Sequence, residues 1–534
     1  MGIIGKALDS LISAFSPGAA LRRAEARTRL EVLNSLPFGS GTGYGHYGAS
    51  FARKSLQAWG ARSGSADDDI VSNLEALRCR SRDLYMGAPL ATGALKTIRT
   101  NVVGSGLSLS PQPDAAALGI SQDEAQAWAS AVNREWSLWA DTVECDAERK
   151  STFYQLQALA LLSAAMSGDV FAFLPIIPRA GSVYDLRVGF IEADRVFDPP
   201  VIPDDENCHG GVVVDAVGGE KAIYVWRYNR GSLFRARNEL LNIPKRVQVF
   251  GARTGRRNIL HIICDVERPG QRRGVPLLAP VIEQLKQLSR YSDAELMAAV
   301  VAGMFTVFVK SNTPQAPFAS GFGMPLPQDA IDPQAYELGN GSVVSLDSGE
   351  EIQTASPGRP NAAYAAFVEA ICQEIGAALE LPYELLVKHF TSSYSASRAA
   401  LLEAWKMFRM RRDWLVCSFC QPVYEEWLSE AVLKGRIEAP GFFEDAAIRA
   451  AWCCAQWNGD AQGQLDPLKE ISAATQRVNL GVSTREREAQ ELTGMRFADI
   501  ITEQAREQKA IEEAGLQLAA SAVAEPAADE EGEE

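Results

Sequence analysis

Histidine is scarce in this chain. His46, His209, His261 and His389 are its only four, and they lie far apart in sequence, which leaves little material for acid–base or metal chemistry near neutral pH. The phosphate-binding loop of a nucleotide-driven motor is missing as well. The single Gly-Lys pair, Gly5-Lys6, runs into Ala7 without the upstream glycine spacing that lets backbone amides cradle phosphates. There is no G-x-S-x-G elbow and no H-E-x-x-H helix, so the signatures of serine hydrolases and zinc proteases are excluded. No apolar run reaches the roughly 18 residues of a membrane span, and no membrane partner is expected. Only Lys6 precedes a short stretch broken by Asp9, a poor secretory pattern. Excess positive charge is absent too: 52 basic residues face 67 acidic ones, for a net charge of −15. With no global basic field, any DNA contact must be local or weak.

Cysteine is present but unpatterned. Nine at irregular positions suggest reduced thiols rather than a disulfide framework. Cys417 and Cys420 have zinc-ligand spacing, yet they fall inside a helical stretch with no second pair, so they read as small apolar fillers. Cys453 and Cys454, between Trp452 and Trp457, read as packing. His261 alternates with Ile259 and Ile263 along a strand and reads as a satisfied core or interface histidine. Cys208 and His209 beside Asp204, Asp205 and Glu206 form the one cluster whose carboxylates suit a hard cation. A solvated loop explains it more simply, and neither metal nor other cofactor is expected.

What is there is organised. A chain of 534 residues with 47 % hydrophobic content should divide into about three or four domains. An amphipathic start and the charged run Leu21 to Glu31 give way to a Gly-, Ser- and Tyr-rich arm over Phe38 to Phe51. Helical patterns follow over Asp67 to Val103, Asp123 to Asp146 and Ser151 to Ser167. Strands are then expected at 170–177, 185–191, 212–217, 222–228, 246–250 and 259–266, with Gly218-Gly219 marking a hairpin. Pro276 and Pro280 open a helix that ends near Gly303. A Pro- and Gly-rich module spans 311–360, and a second helix runs from Asn361 to Leu379, where Pro382 stops it. The fold class is α+β, mainly helical.

The longest element is predicted over 395–434. Leu401, Trp405, Phe408, Leu415 and Phe419 recur at spacings of four and three, giving one apolar stripe. Ser393 and Ser395 are candidate N-caps, Gly435 is a stop, and Pro422 should bend the rod by removing a backbone hydrogen bond. Shorter helices are expected at 443–457, 468–478, 484–492 and 497–514, before an Ala-rich tail that ends in acidic residues and has the composition of a disordered segment.

Three stretches carry a family resemblance. The first is Arg80-Ser-Arg-Asp-Leu-Tyr-Met-Gly-Ala-Pro-Leu-Ala-Thr-Gly-Ala-Leu-Lys, followed by Asn101-Val-Val-Gly-Ser-Gly-Leu. The second is Arg268-Pro-Gly-Gln-Arg-Arg-Gly-Val-Pro-Leu-Leu-Ala-Pro-Val-Ile. The third is Leu381-Pro-Tyr-Glu-Leu-Leu with Ser393-Tyr-Ser-Ala-Ser-Arg-Ala-Ala-Leu-Leu-Glu. Together they make the chain resemble the lambda-type bacteriophage portal proteins, the head–tail connectors.

The resemblance implies a portal fold: an arm over 1–60, a wing over 61–274, stem helices at 275–304 and 361–381 flanking a clip at 305–360, and a tunnel loop at 382–394. A long kinked helix at 395–435, a helical crown at 436–515 and an acidic tail at 516–534 would complete it. It implies a homo-oligomeric ring, a dodecamer, at one capsid vertex of the virion, assembled in the host cytoplasm. The ring would pass double-stranded DNA during packaging and ejection through transient, non-specific contacts. Its partners would be the terminase large subunit, the major capsid protein and head-completion or tail connector proteins. Twelve copies would carry about −180 formal charges, so a few basic residues would guide DNA without trapping it by counterion release. Lys388 and His389, with hydroxyls at Thr391, Ser392 and Ser393, are the expected loop contacts. Lys286 and Arg290, one turn apart on the first stem helix, either line the bore or pair with Glu283 and Asp293. No catalysis is expected. The competing readings are a magnesium-dependent nuclease built on Asp204, Asp205 and Glu206, or a capsid adaptor without a channel.

Overall fold

The helical stretch after Asp67 is cut by its own punctuation. α1 (Ala66–Ile70), α2 (Leu74–Gly87) and α3 (Pro89–Val102) follow one another, with Pro89 in the first turn of α3, where a missing N–H has no helical partner to lose. The computed structural model describes residues 54–55, 59–60, 63–203, 207–232, 243–303, 307–311, 350–354, 363–390, 393–460, 467–493 and 497–513. The chain divides into two compact units, Met1–Ser65 and Ala66–Glu534, and the elements named here all belong to the second. Asp204, Asp205, Glu206, Thr391, Ser392, most of the N-terminal arm, most of 305–360 and the tail over 516–534 lie outside the described residues.

β1 (Ser108–Pro111) and α4 (Ala115–Leu118) lead to α5 (Gln122–Ala140), which starts at a capping box. Ser121 Oγ accepts from the Glu124 amide at 3.2 Å, and Glu124 Oε2 accepts from the Ser121 amide at 2.8 Å. α6 (Phe153–Ser167) is buried along much of its length. Seven strands of one sequence stretch then divide between two antiparallel sheets. β2 (Asp169–Phe173) is central to the first, with β3 (Gly189–Glu192) on one side and β8 (Ile259–Ile263) on the other. β4 (Asn207–His209), β5 (Val212–Val214), β6 (Glu220–Val225) and β7 (Lys245–Gln248) form the second as a meander. The expected glycine turn joins β5 to β6: Gly218 has φ +101°, and Asp215 Oδ1 accepts from the amides of Val217 and Gly219.

α7 (Ile282–Gly303) and α8 (Tyr364–Ala378) flank the paired strands β9 (Val307–Ser311) and β10 (Glu350–Thr354). After α9 (Tyr383–Val387), the long helix runs as α10 (Tyr394–Leu415), a π-helical turn at Val416–Cys420, and α11 (Gln421–Leu433). Ser393 is the N-cap, and Pro422 sits in the first turn of α11. The irregularity forced by proline is therefore a wide turn that spares the missing N–H rather than a break. α12 (Ala446–Cys453), β11 (Ala455–Asn458), α13 (Pro467–Asn479), α14 (Arg485–Thr493) and α15 (Phe497–Glu513) complete the chain.

One expected helix is too long. The span 443–457 holds helix only over α12; its end is β11, which pairs with β1 more than 340 residues upstream, Trp457 opposite Leu109. That strand closes an aromatic core in which Trp136 meets Phe153 at 5.1 Å and Trp427 at 5.0 Å, both edge-on, with Tyr424 and Trp457 around it. Edge-on rings of this size bury large apolar areas, and they tie α5, α6 and α11 to the C-terminal strand. A second cluster, including Phe171, Val212, Ile223 and Ile259, fills the space between the two sheets.

Candidate functional site

α7 and α8 leave the body as a pair. Their inner ends are packed, with Leu285, Leu288, Ile375 and Leu379 buried, and Tyr291 stacks on Tyr364 with ring centroids 5.5 Å apart. Towards their other ends apolar side chains are in solvent: Leu296 is 65 % and Met297 62 % exposed, and Phe367 is also exposed. A helix pair that is apolar on exposed faces is incomplete as a single copy.

Two of the expected DNA-contact residues, Lys286 and Arg290, stand on this pair, both on α7. Lys286 and Arg290 are exposed, and neither makes an ion pair among the described residues. The intrahelical pairs with Glu283 and Asp293 are not formed among the described residues, and Glu283 accepts from Gln287 Nε2 at 2.9 Å. The loop group is placed differently. The first half of 382–394 is not loop but the helical turn α9, held down by Leu381 and Leu386, both buried against the body. Lys388 ends α9 in the left-handed region at φ +55°, where its amide donates to Glu384 O, as does the amide of His389. Lys388, His389 and Ser393 are exposed, as is Phe390. Lys388 and His389 are thus brought together at one exposed turn, and Lys286 and Arg290 stand apart from it on α7.

Two of the three motifs reach a buried charge cluster where the two sheets meet, the first through Arg82 and the second through Arg273 and Gly274. Asp169, fully buried, accepts from Arg78 Nη2 at 2.8 Å, Arg273 Nε at 2.7 Å, Arg273 Nη2 at 3.1 Å and the Gly274 amide at 3.0 Å. His261 lies 3.3 Å from Asp169 Oδ2 through Nε2 and 2.6 Å from Glu220 Oε1 through Nδ1. Arg82 pairs with Asp194 at the edge. Burial alone would push the Asp169 carboxyl up, but Arg273 and Arg78 hold it well below the usual carboxylate range. Burial likewise pushes the His261 imidazole down, and the carboxylates of Glu220 and Asp169 outweigh it, raising its pKa to about 9. Every charge here is spent on another, which suits a structural joint and not a reactive site.

The same joint explains the glycine of Arg272-Arg273-Gly274. A Cβ at Gly274 would overlap the Gly168 carbonyl, because the loop passes against the backbone just before β2. The expected reading of His261 as a satisfied histidine holds, and its partners are two carboxylates that no local pattern links to it. Cys420 is buried as expected, whereas Cys417 is exposed, so only one of that pair is a filler. Cys208 is bonded to Asp198 Oδ1 at 3.4 Å. Among the described residues no group of three or more His, Cys, Asp or Glu side chains is arranged to hold a metal ion, and no helix is long and apolar enough to cross a membrane.

The family model described as "Phage portal protein, lambda family" matches residues 52–412. The chain belongs to the lambda family of phage portal proteins. It is 26 % identical over 505 residues to portal protein B of Escherichia phage lambda, covering 90 % of this chain and 92 % of that one. With the portal protein of Escherichia phage N15 the identity is 27 % over 501 residues, covering 90 % and 93 %. Among solved structures, a distant likeness links it to a chain described as "Neck of empty GTA particle computed with C6 symmetry", with TM-score 0.47, 12 % identity and coverage of 81 % and 93 %. The match spans all three motifs, and with them Arg78, Arg273, Lys388 and His389.

Proposed function

We propose that twelve copies of this phage portal protein stand side by side as a ring at one capsid vertex, with an axial channel for double-stranded DNA. In this reading α7 and α8 are the stem, the strands β9 and β10 open the clip, residues 388–393 form the tunnel loop, and α12 to α15 build the crown. The observation that carries it is the exposed apolar end of the α7–α8 pair, which a neighbouring copy would cover. Lys286, Arg290 and Lys388 supply local positive charge in a chain of net −15, and His389 a further polar contact, enough for transient phosphate contacts without a continuous basic lining.

The clip would dock the terminase large subunit, which supplies the ATP-driven work, and the major capsid protein and head-completion or tail proteins would attach around the ring. The role is structural, not catalytic. Negative-stain microscopy of the purified chain is expected to show rings with about twelvefold symmetry. A chain that stays monomeric across salt and concentration would overturn the reading.

A further inference from the structure

Charge in this acidic chain is unevenly placed. Residues 221–257 hold ten of its 52 basic residues and a single acidic one, Glu239. Three of them, Arg227, Lys245 and Arg256, line a cleft of about 830 Å³ at the two sheets. Phe173, Val225 and Val247 give it an apolar floor, and Arg195, Arg227, Lys245 and Arg256 stand around it.

Only one of these four cations makes an ion pair among the described residues. Arg256 Nε sits 3.0 Å from Glu426 Oε2. Arg195 donates from Nε to Trp226 O at 2.8 Å, and burial pushes its pKa down, an effect that the charge of Glu192 only partly offsets. Arg227 lies over the Tyr228 ring at 5.5 Å, and Lys245 is exposed on β7 at the edge of the sheet. Neither Arg195, Arg227 nor Lys245 forms an ion pair among the described residues. Lysine on an edge strand is a common guard against edge-to-edge pairing. That explains Lys245, but not two arginines converging on an apolar opening.

We propose that this cleft docks an acidic peptide segment of a partner protein, with one apolar side chain seated on the floor and flanking carboxylates bonded to Arg195, Arg227 and Lys245. The volume falls within the roughly 300–1,000 Å³ of ordinary ligand sites, large enough for such a side chain and its neighbours. Guanidinium groups favour planar, bidentate partners such as carboxylates and phosphates. A DNA duplex offers phosphates on its outside but no apolar group to fill the floor, so the peptide is the better complement. The inference goes beyond the ring reading and does not depend on it.

The test uses the full-length protein and a fluorescent synthetic peptide of alternating Glu and Leu, read by anisotropy. Binding is expected to weaken as salt rises and to fall at least tenfold in the double variant Arg227→Glu, Lys245→Glu. Ile243→Ser, which alters an exposed apolar residue of the cleft, should lower affinity severalfold. Thermal melting controls for folding, and Arg227→Gln with Lys245→Gln replaces the charge reversal should it fail to fold. Unchanged binding by the charge variants overturns the proposal. So does equal binding of a Glu–Gly peptide, which would mean a charge patch with no use for its floor. Tighter binding of a labelled DNA duplex, lost in the same variants, would reassign the surface to nucleic acid and overturn it as well.

Discussion

Arg78 and Arg273 lie under the sheets, each on Asp169, while Lys286, Arg290 and Lys388 stand in solvent with no ion pair among the described residues. The two groups carry the same charge under opposite physical constraints. A buried cation without a partner is several kilocalories too costly to survive folding, so its carboxylates come with it. An exposed cation has no such requirement, and its solvation already satisfies it. The contrast separates charges that make the fold from charges left over for contact with something else. Two of the recognisable motifs reach the joint, where geometry under burial admits few alternatives.

The largest effect should come from breaking the joint. Asp169→Asn leaves Arg78, Arg273 and a charged His261 facing one another, and is expected to cost about 3–5 kcal/mol, read from urea midpoints. The double variant Lys286→Gln, Arg290→Gln should stay within about 0.5 kcal/mol of the parent in the same experiment. Equal losses in both would erase the distinction. Gly274→Ala comes next. Its Cβ must displace the backbone at Gly168, at a cost of about 1–3 kcal/mol, and melting temperature reports it.

His261 allows the comparison to be sharpened by pH. Its folded pKa, about 9, lies above the ordinary value of 6.5, so its contribution is fully present below about 6.5 and is lost as pH rises through about 9. Measured against His261→Gln, the stability advantage of the parent should shrink across that window by on the order of 2–4 kcal/mol, at about 1.4 kcal/mol per pH unit. An advantage that stays flat from pH 6 to 10 would mean the imidazole is neutral in the fold. Asp169 acts at the opposite end: its carboxyl is held low, so its contribution is lost on strong acidification.

Much of this was legible from local pattern. The apolar stripe through Leu401, Phe408 and Phe419 specified the long helix, Ser393 its start and Gly435 its stop, and the Gly218 turn fixed a hairpin. What escaped was set by distant partners. Trp457 has the helix-compatible neighbours Trp452 and Cys453, yet it pairs as a strand with Leu109 because β1 offers it an edge. α9 escaped because five residues carry too little periodicity, although Leu386 fixes it against the body once folded. The joint escaped for the same reason: Arg78, Asp169, Glu220, His261 and Arg273 are spread over nearly 200 residues, and only the pairing of β2 with β8 and the meeting of the two sheets bring them together. Type and position alone single out Lys388 and His389, and nothing in their neighbours announces the left-handed turn.

That turn supplies the smallest and most discriminating test. A non-glycine residue in the left-handed region costs about 1–2 kcal/mol, and glycine there relieves the strain while losing about 0.5–1 kcal/mol to its freer unfolded chain. Lys388→Gly should therefore be neutral or stabilising by up to about 1 kcal/mol, whereas Lys388→Val, β-branched, should be destabilising. Lys388→Glu keeps the backbone requirement and reverses the charge. If Lys388 acts on DNA through its ammonium, Lys388→Gly and Lys388→Glu should both impair packaging of DNA into proheads, the reversal more severely. If it serves only to end α9, packaging should follow stability, and the glycine variant should package as well as the parent.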